Sequence, residues 1–209
     1  VVFNKPNGVL THPVNSNSEI SVRDKLLEIE PSIAEWGIEK REGIVHRLDK
    51  VTSGLIVGAL TYETFTNLQS LFKKRKVYKE YSCLVEGHLK TQSGVIELPL
   101  SKSKQNRTKR SVSSGGKIST SQFEVIHEYK TCTKLKIQLI TGRNHQIRSQ
   151  MEYLGNPILN DVLYSAKKVE SLNKDQICLM SKKLKFNHKS NNYEFEATEP
   201  DFFNGLINV

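Results

Sequence analysis

"GIVHRLDKVTSG", Gly43 to Gly54, sets one carboxylate, Asp49, among His46, Arg47 and Lys50, and follows it with Thr52, Ser53 and Gly54. Such an acid is either a loop residue neutralised by the bases beside it or a reacting group held ionised for chemistry. The next residues, "SGLIVGAL", are apolar on both faces and read as a buried strand, so the "TSG" turn ties the Asp49 loop to the core. Their apolar run, Leu55 to Leu60, is far shorter than the roughly 20 residues of a membrane span.

Outward from this stretch the elements alternate without repeats. "VVFNKP" reads as a short strand broken by Pro6 and turned by Asn7 and Gly8. Ser21 with Asp24 forms a capping arrangement for a helix through Ile29, stopped by Pro31. Thr61 caps a second helix whose Phe65, Leu68 and Phe72 share one side, and "KKRK" at its end suits the helix dipole. "YSCLVEG" and "TSQFEVIHEY" read as strands, and "KLKIQLI", from Lys134 to Ile140, alternates as a half-exposed strand should. The expectation is an α+β fold with a mixed, largely antiparallel central sheet flanked by helices and loops. No Gly/Ser linker divides the chain, so residues 1–209 are expected to form a single domain.

Composition narrows the partners. The 209 residues include 31 Lys plus Arg against 22 Asp plus Glu, a formal charge of +9. A polyanion is the first partner to consider, with nucleic acid ahead of membrane because no long basic amphipathic helix is evident. Cys83, Cys132 and Cys178 are odd in number and far apart, which suits neither zinc spacing nor a secreted disulfide framework. The expected setting is the cytoplasm. The first residue is Val1, not Met, which leaves room for an upstream module.

Two further polar segments stand out. "SKSKQNRTKRSVSSGGK", Ser101 to Lys117, carries six basic residues, no acid and one apolar residue, Val112. It belongs on the surface, either as a solvated loop or as a phosphate-gripping loop acting by counterion release. "TGRNHQIRSQMEYLG", Thr141 to Gly155, reads as a helix on Ile147, Met151 and Leu154, stopped by Gly155 and Pro157. His145 and Arg148 then fall three apart on one helical face. On spacing alone, Arg148 reads as an ordinary surface salt-bridge former.

"HRLDKVTSG", the tyrosine-bearing "RKVYKEYSCLVEG" and "TGRNHQIR", in that order, resemble the RluA-type family of RNA pseudouridine synthases. "NKPNGVLTHP" and "GKISTSQFEV" match two more of its elements, and the resemblance runs from Val1 to about Phe203. It implies the pseudouridine synthase catalytic fold, with an active-site cleft. It also implies that Asp49 is the catalytic aspartate, that Arg47 occupies space near a flipped nucleotide, that Tyr81 is the strand tyrosine, and that Arg148 pairs with Asp49. Candidate RNA contacts are His46, Arg47, Thr52, Arg143, His145 and Gln146, with Lys102, Lys104, Arg107, Lys109, Arg110 and Lys117 of the basic segment. The chain departs from the family pattern at Cys83, Gln150, Asn160 with Asp161, and Met180 with Ser181.

The implied chemistry is spare. Making pseudouridine breaks the bond from ribose to the uracil ring nitrogen, turns the base and joins ribose to ring carbon 5, so neither cofactor nor metal is called for. One carboxylate suffices, either as nucleophile or as base. A nearby guanidinium would keep it ionised, and a tyrosine offers a stacking ring and a proton-carrying hydroxyl. Unstacking the uridine costs least in a loop or bulge, which points to structured RNA, ribosomal RNA ahead of tRNA, acted on by a monomer. The competing classes are a non-catalytic RNA-binding or ribosome-assembly protein, and a glycosidic hydrolase, which would want a second carboxylate. Asp24 and Asp161 read instead as a helix start and a turn.

Overall fold

The computed structural model describes residues 1–14, 19–36 and 41–206. In chain order they form β1 (Val2–Lys5), α1 (Val22–Ile29), β2 (Ser53–Val57), α2 (Tyr62–Lys73), β3 (Tyr78–Glu86), β4 (Ser93–Lys102), β5 (Arg110–Val112), β6 (Lys117–Glu128), β7 (Cys132–Leu139), α3 (Gln146–Tyr153), β8 (Leu179–His188), β9 (Asn191–Glu196) and α4 (Asp201–Leu206). Short 3-10 turns lie at Pro31–Trp36 and Val162–Tyr164. The strands are paired mostly antiparallel, as the α+β reading expects. The chain resolves into two compact units, one of Val1–Tyr78 with Ser181–Ala197, the other of Lys79–Met180 with Thr198–Val209.

In the first unit β1 runs antiparallel to β2, from Val2 opposite Val57 to Lys5 opposite Gly54. β2 is buried along its whole length, as its two-faced apolar sequence requires, and lies beside β8, which pairs with β9. Gly54 is the residue that permits this. Its φ is +106°, and a Cβ there would sit 2.2 Å from the Ser181 carbonyl oxygen, so a side chain is excluded twice over. α1 has the capping box the sequence predicts: the Asp24 backbone N–H donates to the Ser21 hydroxyl, and the Ser21 N–H donates to the Asp24 carboxylate. Burial alone would raise the Asp24 carboxyl pKa, but the Ser21 hydrogen bonds and Arg23 outweigh it and hold the group below its ordinary range. α2 starts at the Thr61 cap and buries Phe65 and Leu68.

The second unit is an antiparallel sheet in the order β5-β4-β6-β7-β3. β7 alternates buried and half-buried residues as the sequence implies. The basic segment is less loop-like than its composition suggests. β4 extends to Lys102, and Arg110–Val112 returns along it as β5, with Leu100 opposite Val112. Main-chain pairing needs no apolar side chains, which is why a polar sequence hides it. β4 itself is obscured by Gly94 and by Pro99, which lacks an N–H for the ladder.

α3 also differs from expectation at two residues, Leu154 and His145. Ile147 and Met151 are buried, whereas Leu154 is 42% exposed at the helix end. His145 is not on the helical face with Arg148; it is the N-cap residue, in the left-handed conformation. Gly155, at φ +81°, ends the helix as predicted. Burial pushes the Cys83 and Cys178 thiols well above their ordinary range, so both remain protonated.

Candidate functional site

The first unit holds the Asp49 loop by its main chain. Lys5 is buried, and its ammonium donates to the carbonyls of Pro6 (2.9 Å), Val9 (2.9 Å) and Lys50 (3.1 Å). The Asn7 side-chain amide donates to the Val51 carbonyl at 2.6 Å, and the Gly8 N–H donates to the Lys50 carbonyl at 2.8 Å. On the other side of Asp49 the Thr11 hydroxyl donates to the Leu48 carbonyl at 2.8 Å and accepts from the Leu48 N–H at 3.1 Å. The "NKPNGVLT" stretch thus clamps the residues flanking Asp49. A turn from the Thr52 N–H to the Asp49 carbonyl, 3.0 Å, closes the loop.

Asp49 is half-buried, Arg47 is exposed and Thr52 is buried. The Lys50 ammonium meets Glu19 at 3.0 Å. His46, a predicted RNA contact, is held locally: its Nε2 accepts the Val57 N–H at 3.0 Å, which places a neutral ring's proton on Nδ1. Its ring stacks on Phe72 with centroids 4.5 Å apart. His46 therefore couples the Asp49 loop to β2 and to α2.

The second unit fixes Arg148 by its side chain. Arg148 is only 4% exposed, which overturns its reading as a surface residue. Its Nε and Nη2 donate to the two oxygens of buried Asp161 at 2.7 and 2.8 Å, a bidentate fork. The guanidinium lies over the Tyr164 ring, 4.8 Å from the centroid. The Tyr164 hydroxyl accepts the Arg110 N–H at 2.8 Å and meets His145 Nδ1 at 2.9 Å.

The sequence reading took Asp161 for a turn residue and gave Tyr164 no role, because the partner that both share, Arg148, lies 13 and 16 residues before them. The departures from the family pattern also find reasons here. Asn160 has φ +64°, a conformation asparagine tolerates better than other residues with a side chain. Its amide donates to the carbonyls of Asn173 and Gln176. Gln150, where the family has histidine, is fully buried; it accepts the Ser121 hydroxyl at 2.7 Å and donates to the Ser119 carbonyl at 3.0 Å. Ser181 carries a buried hydroxyl without a hydrogen-bond partner among the described residues.

Gln146, a predicted RNA contact, bolts α3 to β6. Its oxygen accepts from the Thr141 hydroxyl and the Arg143 N–H, and its nitrogen donates to the Thr120 carbonyl and the Ser121 hydroxyl. Tyr81 is buried on β3, opposite Ile137. The adjacent Ser82 donates to Glu199 at 2.7 Å, and Lys134 reaches the other oxygen of that carboxylate. Arg143 is exposed.

Of the basic hairpin, Lys102, Lys104 and Arg107 are exposed, as is Lys117 at the start of β6. Lys109 pairs with Glu152 at 2.6 Å and lies over the Tyr164 ring, so it and the Arg110 backbone dock the hairpin on the Arg148 cluster. Among the described residues no helix is long and apolar enough to cross a membrane, and no group of three or more His, Cys, Asp or Glu is placed to hold a metal ion.

Comparison with known proteins agrees with this construction. The chain is 38% identical over 164 residues to the ribosomal large subunit pseudouridine synthase D of Blochmanniella floridana, covering 78% of this chain and 50% of that one. It is 36% identical over 214 residues to the protein of that name from Vibrio cholerae, covering 96% of this chain and 65% of the relative. The chain therefore spans about half to two thirds of the length of these relatives.

Among solved structures, human RNA pseudouridylate synthase domain containing 1 and domain containing 4 each superpose with a TM-score of 0.75, at 22% and 23% identity. They cover 95% and 97% of this chain, and this chain covers 79% and 86% of theirs, so the fold is shared. The profile of the RNA pseudouridylate synthase family matches residues 1–153, from the Lys5 clamp through the Asp49 loop to the end of α3. By that match and these identities, the chain belongs to the RNA pseudouridylate synthase family, in its RluA-type branch.

Proposed function

We propose that the chain isomerises uridine to pseudouridine in structured RNA, with ribosomal RNA as its substrate ahead of tRNA, working as a cytoplasmic monomer without a cofactor. The observation that carries this reading is the Asp49 loop: a half-buried carboxylate whose flanking residues are clamped from both sides, in a chain of this family. Relatives named for the ribosomal large subunit favour ribosomal RNA.

In the reaction the bond from ribose carbon 1 to uracil nitrogen 1 breaks, the base turns, ribose carbon 1 joins ring carbon 5, the carbon 5 proton leaves, and nitrogen 1 ends protonated. Asp49 acts either by attacking ribose carbon 1 or by removing a ribose proton. Arg148 is the proposed electrostatic partner: it is charged at any relevant pH, and a nearby guanidinium favours an ionised carboxylate. Tyr81 is proposed to stack on the uracil and to assist proton transfer at carbon 5. The exposed hairpin residues Lys102, Lys104 and Arg107 supply phosphate contacts that offset the cost of unstacking.

Incubating the protein with ribosomal RNA tritiated at uridine carbon 5 tests the reading. Isomerisation releases tritium and leaves no free uracil. Free uracil would identify a hydrolase, and RNA binding without tritium release would identify a non-catalytic binder.

A further inference from the structure

We propose that the C-terminal corner of α2, Lys73 to Lys76, is a second RNA-binding surface, one that grips phosphates of the substrate away from the reacting nucleotide; this rests on the reading of the chain as an RNA-modifying enzyme. Four consecutive cations occupy the corner, and all four are exposed. Among the described residues none of them has an acid within ion-pair distance. The only acid of α2, Glu63, lies in its first turn, about 15 Å away along the axis, and meets Lys189. A solvated helix surface normally mixes the two signs, and this corner does not.

The backbone gives an independent sign. The Lys76 N–H donates to the Leu71 carbonyl at 2.9 Å and the Arg75 N–H to the Phe72 carbonyl at 3.1 Å, so the helix ends in a Schellman turn. The residue that must be left-handed in that turn is Arg75, at φ +58°. Glycine takes this conformation freely, whereas an arginine takes it only against strain. Strain of this kind concentrates where a side chain is needed. The turn aims consecutive cations outward around the helix end, where an RNA backbone can run across them.

The corner is also anchored next to the Asp49 loop within the same unit. Phe72, which immediately precedes Lys73, stacks on His46 at 4.5 Å, and exposed Arg47 follows His46 directly. The corner is therefore tied through His46 to the segment that carries Asp49. The ligand is a phosphodiester backbone, read by charge rather than by base.

The test measures dissociation constants for a fluorescein-labelled stem-loop RNA across a salt series. A variant combining Lys73→Gln, Lys74→Gln, Arg75→Gly and Lys76→Gln is expected to bind at least about tenfold more weakly, with the log–log salt slope reduced by about two or more. Arg75→Gly alone is expected to weaken binding while raising the melting temperature, because glycine relieves the strain; a destabilised variant could not produce that combination. A control that neutralises Lys25 and Lys168, which pair with Glu28 and Glu170, should leave affinity and slope unchanged. Unchanged affinity and slope in the quadruple variant overturn the proposal, even if the corner then proves to bind acidic peptides or anionic vesicles. A wild type that binds no RNA brings down the functional reading itself, and the proposal with it.

Discussion

The Asp49 loop and the Arg148 helix are held in opposite ways. Around Asp49 the clamps close on main-chain groups of Leu48, Lys50 and Val51, so the loop's path is fixed by backbone contacts. Arg148 is gripped by its own side chain, through the Asp161 fork and the Tyr164 ring. The fork uses two of a guanidinium's five N–H groups, so an arginine can be anchored and still act.

Substitutions should separate the two strategies. The largest effect is expected at Gly54→Ala, which forces a side chain into a left-handed backbone and onto the Ser181 carbonyl; the expected loss is about 4 kcal/mol or failure to fold, measured by urea denaturation. Asp161→Ala comes next. It strands a buried guanidinium and should cost about 3–5 kcal/mol, with kcat for uridine falling further than RNA affinity. Lys5→Met removes three hydrogen bonds to carbonyls and should cost roughly 2–3 kcal/mol, again with a loss of turnover, because the loop rather than its carboxylate is released.

Smaller effects sharpen the comparison. Asp24→Asn weakens the α1 cap by about 1 kcal/mol at neutral pH. The Asp24 carboxyl is held below its ordinary range in the folded state, so its contribution is full above that range and is lost as pH falls through the folded value. The gap between wild type and Asp24→Asn should therefore be constant from neutral pH down to the ordinary carboxylate range and close below it. Ser181→Ala should stabilise the chain by about 1 kcal/mol, since it deletes a buried hydroxyl that lacks a partner among the described residues.

The sequence disclosed the elements whose cause is local. The Ser21 and Thr61 caps, the two-faced apolar β2 and the alternating β7 all follow from residues beside one another. The "HRLD" stretch announced itself in the same way. What stayed hidden depends on partners distant along the chain. Arg148 looked like a surface residue because Asp161 lies 13 residues on and Tyr164 lies 16 on. The role of Gln146 in joining α3 to β6 was hidden because its partner Thr120 precedes it by 26 residues. β5 was missed because its pairing is carried by main chain beneath a polar, basic sequence.

The most direct test of the account is a single-turnover measurement of tritium release from uridine-labelled ribosomal RNA by the wild type and by Asp49→Asn, with RNA affinity and melting temperature measured alongside. The account predicts that Asn at this position keeps the fold and the affinity, because the clamps act on the main chain, while turnover falls by at least about 10³-fold. A variant that binds RNA normally and turns over within tenfold of the wild type would contradict the claim that Asp49 is the reacting group.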